Sequence, residues 1–240
     1  MANMTLEQLV SQLQKAYGPE LECVVLYGSA AAGEHIPKRS DYNVLVIVKR
    51  LGSDQLRAAA ATARAWSDSG NEAPLTLTTE EWRRSADIFP MEYADMLERH
   101  RILYGAAPFD GIEVSKEHLR LELEQQAMGK LLHLRQGLLA AGNDGRRQLQ
   151  LLEGTLSTIM VLFRSVVRLH GESPPADNDA LSLATASITG LDAAPFQRVV
   201  RHVRRSEKLA PSEAAPVLSG YLDGVQRLVG YLDRFGQASR

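Results

Sequence analysis

VVLYGSAAAGEHIPKRSDYNVLVIV, running from Val24 to Val48, is the stretch whose reading decides the fold. Val24, Val25 and Leu26 make a short apolar run rich in β-branched side chains, the pattern of a strand buried on both faces. Gly28 permits a sharp turn and lets a ligand approach the backbone with no Cβ in the way. Ser29 is a good helix N-cap and Ala30 to Ala32 are strong helix formers, so the spacing predicts a helix start here. Such a start aims N–H groups and a positive dipole end at whatever lies in front of it, which suits a phosphate. Taken alone, Gly-Ser is read first as a plain strand-to-helix connection that binds nothing.

Beyond Gly33, Pro37 and Ser40 shape a polar loop that carries Lys38 and Arg39, and Asp41 follows directly. Tyr42 to Val48 is a second buried-strand run. Asp41 and Asn43 are two apart, so on a strand they point to the same side, at its entrance and facing the Gly-Ser turn. Two oxygen ligands opposite a phosphate-holding turn is how a Mg²⁺–triphosphate is shared between protein and nucleotide.

This order of strand, Gly-Ser turn, short helix, polar loop and Asp-x-Asn resembles the nucleotidyltransferase superfamily that includes DNA polymerase beta and the aminoglycoside nucleotidyltransferases. Members carry Gly-Ser or Gly-Gly after one strand and Asp-x-Asp on the next; here Asn43 replaces the second Asp. The resemblance implies an α/β (α+β) nucleotidyltransferase fold with a mixed sheet, and Mg²⁺-dependent transfer of a nucleotidyl group from an NTP to a hydroxyl. It implies Gly28, Ser29, Lys38 and Arg39 toward the nucleotide, and Asp41 and Asn43 on the metal. It also implies a third carboxylate on a later strand. The run PLTLTT, Pro74 to Thr79, reads as the next strand and has no acid. FPMEYADM carries Glu92 between Met91 and Tyr93, an apolar–acid–apolar strand pattern, and is followed by HRILYG ending at Gly105, which looks like the segment after the third acidic strand of small nucleotidyltransferases. Glu92 is therefore the candidate third catalytic and metal-binding acid, with Asp95 second. A solvent-facing Glu92 on an edge strand or helix is the plain alternative.

Composition sets the outer bounds. A chain of 240 residues with 45% hydrophobic content suits one large or two modest globular domains. A net charge of −2 provides no general attraction to nucleic acid or acidic membranes. The one cysteine, Cys23, excludes a disulfide framework and reads as a buried thiol beside the first strand. No run of 18 apolar residues suggests a membrane span, and the N-terminal segment reads as an amphipathic helix without a signal-peptide core, so a cytoplasmic protein is expected.

The chain divides near residue 110. Before it, helices at Leu6–Tyr17 and Asp54–Trp66 alternate with strands, giving a nucleotidyltransferase-like domain over residues 1–110. After the linker AAPFDG, residues 111–240 read as an all-α helical bundle. Long helices are expected from about Leu119 to Gly142, Arg146 to His170 and Glu213 to Phe235, with shorter ones near Asp179–Ala186 and Pro195–Leu209. This pairing of an α/β domain with a helical one resembles the aminoglycoside nucleotidyltransferases, in which the helical domain closes over the nucleotide and helps form the acceptor pocket. Two further patterns stand out. Arg164 and His170 are spaced as in the Arg/His motif of HEPN ribonucleases, and Arg198, Arg201, His202, Arg204 and Arg205 form a basic strip that suits either phosphates or a solvated helix face.

Asn43 and the acid-free PLTLTT run leave two functions open. One is an active Mg²⁺-dependent transferase acting on an unidentified small-molecule or macromolecular acceptor. The other is a catalytically degenerate protein of the same fold that binds nucleotide or serves as a regulatory module.

Overall fold

The computed structural model describes residues 4–28, 30, 31, 33 and 42–237. Two compact units divide the chain, Met1–Val114 and Ser115–Arg240. The first is an α/β unit around a mixed four-stranded sheet and the second is all-helical.

Helix α1, Leu6–Tyr17, starts at a reciprocal cap between Thr5 and Gln8 and buries Leu9, Leu13 and Tyr17 along one stripe. Strand β1, Leu21–Tyr27, lies antiparallel to β2, Asn43–Val48. Helix α2, Ser53–Ser67, carries the chain across to β3, Leu75–Thr78, which runs parallel to β2. Two further helices, α3 at Thr79–Arg84 and α4 at Pro90–Glu98, precede β4, His100–Gly105, which pairs antiparallel with β1. The strand order is β3-β2-β1-β4.

Strand alternation gives the sheet two dry faces. Val24, Leu26, Val44, Val46 and Val48 pack against Leu9, Leu13 and Tyr17 of α1 and Ala59 and Trp66 of α2. Cys23, Val25, Leu45 and Ile47 pack against Trp82 of α3 and Tyr93 and Met96 of α4. The Trp82 and Tyr93 rings stack with centroids 4.2 Å apart. The Tyr93 hydroxyl donates to the Trp82 carbonyl at 2.6 Å, and the Trp82 indole N–H donates to the Pro108 carbonyl at 2.6 Å. Each buried polar tip thus has a partner.

Two expectations are corrected. Residues 90–98 form a helix, where the pattern around Glu92 reads as a strand. Pro90 sits at the first helical position, which suits its fixed φ, and Met91, Tyr93, Ala94 and Met96 recur at helical spacing on the buried side. The helix expected after Gly28 also does not appear among the described residues: Gly28, Ala30, Ala31 and Gly33 lie in turns. Ser29 and Ala32, the rest of that expected helix start, lie outside the described residues.

In the second unit α5, Lys116–Ala141, and α9, Ala214–Gln237, flank α6, Gly145–Leu169, while α7, Asn178–Thr189, and α8, Ala194–Val203, complete the bundle. Leu152, Ile159, Leu162, Phe163 and Val166 of α6 are fully buried. Phe163, Phe196 and Tyr221 form an aromatic chain with centroid spacings of 4.9 and 4.4 Å. Helix α6 is long and apolar enough to cross a membrane by length and composition, but here it is the core helix of the bundle.

Candidate functional site

Three strand ends meet where β1 finishes and β2 and β4 begin. Tyr27 pairs with Asn43 on one side and His100 on the other, so the three residues form a row across the sheet. By alternation Asn43 shares the face of Leu45 and Ile47, toward α3 and α4. One residue beyond Tyr27, Gly28 adopts φ +75° and donates its N–H to the Arg99 carbonyl at 3.0 Å. A Cβ on Gly28 would stand 3.2 Å from Nδ2 of Asn43. The turn and the opening residue of β2 therefore lie side by side, as the spacing predicts.

The Gly28 amide is already committed to Arg99, so what Gly28 offers a ligand is close approach of the backbone rather than a free donor. The start of β2 is fixed from behind. The Tyr42 N–H donates to Oδ1 of Asn71 at 3.0 Å, and the Tyr42 and Trp66 rings lie 6.1 Å apart. Across the row, His100 Nδ1 is 2.8 Å from the Met96 carbonyl, which makes Nδ1 the donor and leaves the lone pair of the neutral ring on Nε2. The ring of Phe109 covers the imidazole at 4.1 Å. Neither Tyr27 nor His100 stands out in the sequence, because their place in the row follows from strand register alone.

Ser29, Lys38, Arg39 and Asp41 lie outside the described residues. Glu92 is exposed in the first turn of helix α4 and does not lie on a strand, the place that its expected role as third acid requires. Asp95, one turn on, is largely buried beside Arg99, with 3.9 Å between carboxylate and guanidinium. The strand that follows α2 is LTLT and bears no acid. Among the described residues, no group of three His, Cys, Asp or Glu gathers in a way that suits a metal ion.

An open cleft of about 460 Å³ lies at the opposite end of the sheet, lined by Glu22, Lys49, Thr79, Glu80, Arg83 and Arg84. Its charges are of mixed sign and partly paired: Thr79 donates to Glu22, and Arg84 bridges Glu80 at 2.8 Å. It is remote in the fold from the Gly28–Asn43 turn and gathers no convergent chemistry.

The other two sequence patterns resolve into packing. His170 caps the C-terminus of α6 and its Nε2 lies 2.6 Å from the Tyr231 hydroxyl of α9. The basic strip of α8 is tied into ion pairs: Arg198 with Glu213 and Glu207, Arg201 with Asp179, Arg204 with Asp177, and His202 with Glu153. These pairs fasten α8 to neighbouring elements of the bundle and leave little of the strip for phosphate.

No family model matches this chain, and no curated protein matches it either. Among solved structures the chain is similar in fold to an adenyltransferase, an α/β domain followed by a helical domain. Spectinomycin adenyltransferase AAD(9) from Enterococcus faecialis, crystallised with ATP and spectinomycin, matches over 94% of this chain and 97% of its own, with a TM-score of 0.57 and 13% sequence identity. At that identity the likeness is one of fold: an α/β domain with a mixed sheet followed by an all-helical one.

Proposed function

We propose that this protein works on a nucleoside triphosphate at the Gly28–Asn43 end of the sheet, as a nucleotidyltransferase-type protein. The observation that supports it best is the juxtaposition of a positive-φ glycine with the residue that opens β2, within a fold that spans nearly the whole length of an ATP-binding adenyltransferase. In the first form of this reading the protein transfers a nucleotidyl group to a hydroxyl of a small molecule, the class of acceptor that the structural neighbour holds. In this reading Gly28, Ser29, Lys38 and Arg39 are the residues assigned to the nucleotide phosphates.

Mg²⁺ accepts amide as well as carboxylate oxygen, and Asn43 supplies one neutral oxygen at this strand end. That fits an ion held by Asp41 and Asn43 and completed by nucleotide phosphates. Such an ion neutralises phosphate charge and polarises the phosphoryl group under attack. Asn43 positions without adding charge, Asp41 supplies the carboxylate, and the backbone at Gly28 lets the triphosphate approach closely.

A second reading, nucleotide binding without turnover, is favoured by three observations: Asn43 in place of an acid, the acid-free β3, and Glu92 exposed on a helix. Loss of a bridging carboxylate costs transition-state stabilisation on the order of a few kcal/mol, about 10²-fold or more in rate, and weakens binding less. One pair of measurements separates the readings. Calorimetric titration with Mg²⁺ and ATP, GTP or CTP tests binding, and incubation of labelled NTP with hydroxyl acceptors tests transfer. Binding abolished by Asp41→Ala supports the site, and transfer distinguishes enzyme from module. Absence of any nucleotide response sinks both.

A further inference from the structure

Helix α5 is apolar on two sides. One side, with Leu119, Leu123, Ala127, Leu131, Leu134 and Ala141, is buried in the bundle. The other lies roughly 140° around the helix at 3.6 residues per turn and faces solvent. There Leu121, Met128, Leu132 and Leu139 are 50%, 43%, 48% and 85% exposed. With Gln125 and Arg135, also exposed, they fill six positions spaced 4-3-4-3-4, the seam of a coiled coil. A run of this kind on the outside of a folded bundle marks a contact surface.

The stripe is its own complement. Its positions mirror one another about residue 130, so that in an antiparallel pair Leu121 meets Leu139, Gln125 meets Arg135 and Met128 meets Leu132. Charge chooses the same orientation. The half of α5 before residue 130 carries Glu117, Glu122 and Glu124 with Lys116 and Arg120, whereas the half after it carries Arg135 and no acid. Antiparallel pairing lays the acid-bearing half over the acid-free one, and parallel pairing sets like against like. Beside the stripe near its centre, Gly129 has open space where a Cβ would sit, which lets two backbones draw close.

We propose that the exposed face of α5 is an isologous interface through which two copies of this chain associate about a twofold axis near residue 130. The seam spans about 27 Å at 1.5 Å per residue, at the small end for a stable interface, so the dimer is reversible and concentration-dependent. This assignment is independent of what the sheet unit binds.

Sedimentation velocity on the full chain over a range of micromolar concentrations is the test. The intact protein should shift from monomer toward dimer. Leu132→Glu and Leu139→Glu should each weaken the association by about tenfold or more with helical content and melting temperature retained, and Leu183→Glu, an exposed leucine on α7 away from the stripe, should leave it unchanged. Mixed Leu121→Cys and Leu139→Cys proteins should cross-link under mild oxidation, and neither should cross-link with itself. A monomer at every concentration, a dimer that survives Leu132→Glu, or self-cross-linking of Leu121→Cys would each overturn the proposal.

Discussion

Glycines close β1 against its neighbours at both ends of the sheet, and the two are held differently. At one end Gly105 finishes β4 with φ +76°, and a Cβ there would stand 1.9 Å from the Glu22 carbonyl oxygen and 3.0 Å from the Cys23 Cα. At the other end Gly28, at φ +75°, would place its Cβ 3.2 Å from the side-chain amide of Asn43. The same residue and nearly the same torsion meet backbone in one case and a movable side chain in the other. The Gly105 end is locked by strand pairing and has no room to adapt. The Gly28 end is bordered by the Asn43 side chain, which can reorient.

The largest expected effect is at the locked end. Gly105→Ala combines left-handed strain with a clash against backbone that cannot yield without unpairing β1 and β4, so a loss of about 3 kcal/mol or more is expected. Urea unfolding of the variant measures it, and a loss under about 1 kcal/mol would remove the basis of the contrast. Gly28→Ala has the same torsional cost but a softer neighbour, so about 1–2 kcal/mol is expected. If the Asn43 contact adds to that cost, the double variant Gly28→Ala/Asn43→Ala should recover part of it, and strict additivity would show that torsion alone matters.

The same contrast explains what the sequence made legible. The strand runs around Val24 and Val44 are β-branched and uninterrupted, and helix α1 falls where its apolar spacing and capping pair place it, because local signals and burial agree there. Residues 90–98 are not legible from pattern alone, because Met91-Glu92-Tyr93 alternates over too short a span to distinguish strand from helix, and Pro90 at the first helical position decides the matter. The row of Asn43, Tyr27 and His100 depends on register between strands far apart in sequence, which no local pattern encodes.

A smaller effect probes the locked end through its thiol. Cys23 pairs with Gly105 and is buried, and burial pushes its thiol up to about 11 from an ordinary value of 9.0. The unfolded thiol ionises first as pH rises, so the unfolded state binds fewer protons between about pH 9 and 11 and stability falls across that window. Tyr93, pushed up to about 12 by burial, acts with the same sign at somewhat higher pH. Urea midpoints should therefore decline above about pH 9, and Cys23→Ala should flatten the lower part of the decline. Equal slopes for both proteins would exclude the thiol as a contributor. In the native protein the same burial should keep Cys23 inert to thiol reagents near neutral pH.

The smallest effect on stability, and the most informative about function, lies at the adaptable end. Asn43→Asp restores an Asp-x-Asp at the entrance of β2 and adds one negative charge near Asp41. Without metal the two carboxylates oppose each other, and the fold should lose on the order of 0.5 kcal/mol, a cost that added Mg²⁺ removes. With Mg²⁺–ATP present the sign should reverse: a nucleotide at 100 times its Kd stabilises the native state by about 2.7 kcal/mol, so tighter binding by the variant appears as a larger thermal shift than in the parent. A variant that binds more tightly and begins slow transfer would mark the parent as a protein that kept its nucleotide site and lost a catalytic ligand. A variant that binds more tightly without transfer would place the deficit in the acid-free β3 as well. If Mg²⁺–ATP leaves both proteins unmoved in calorimetry and in melting, Gly28 and Asn43 form only a strand entrance, and the fold has been kept for another purpose.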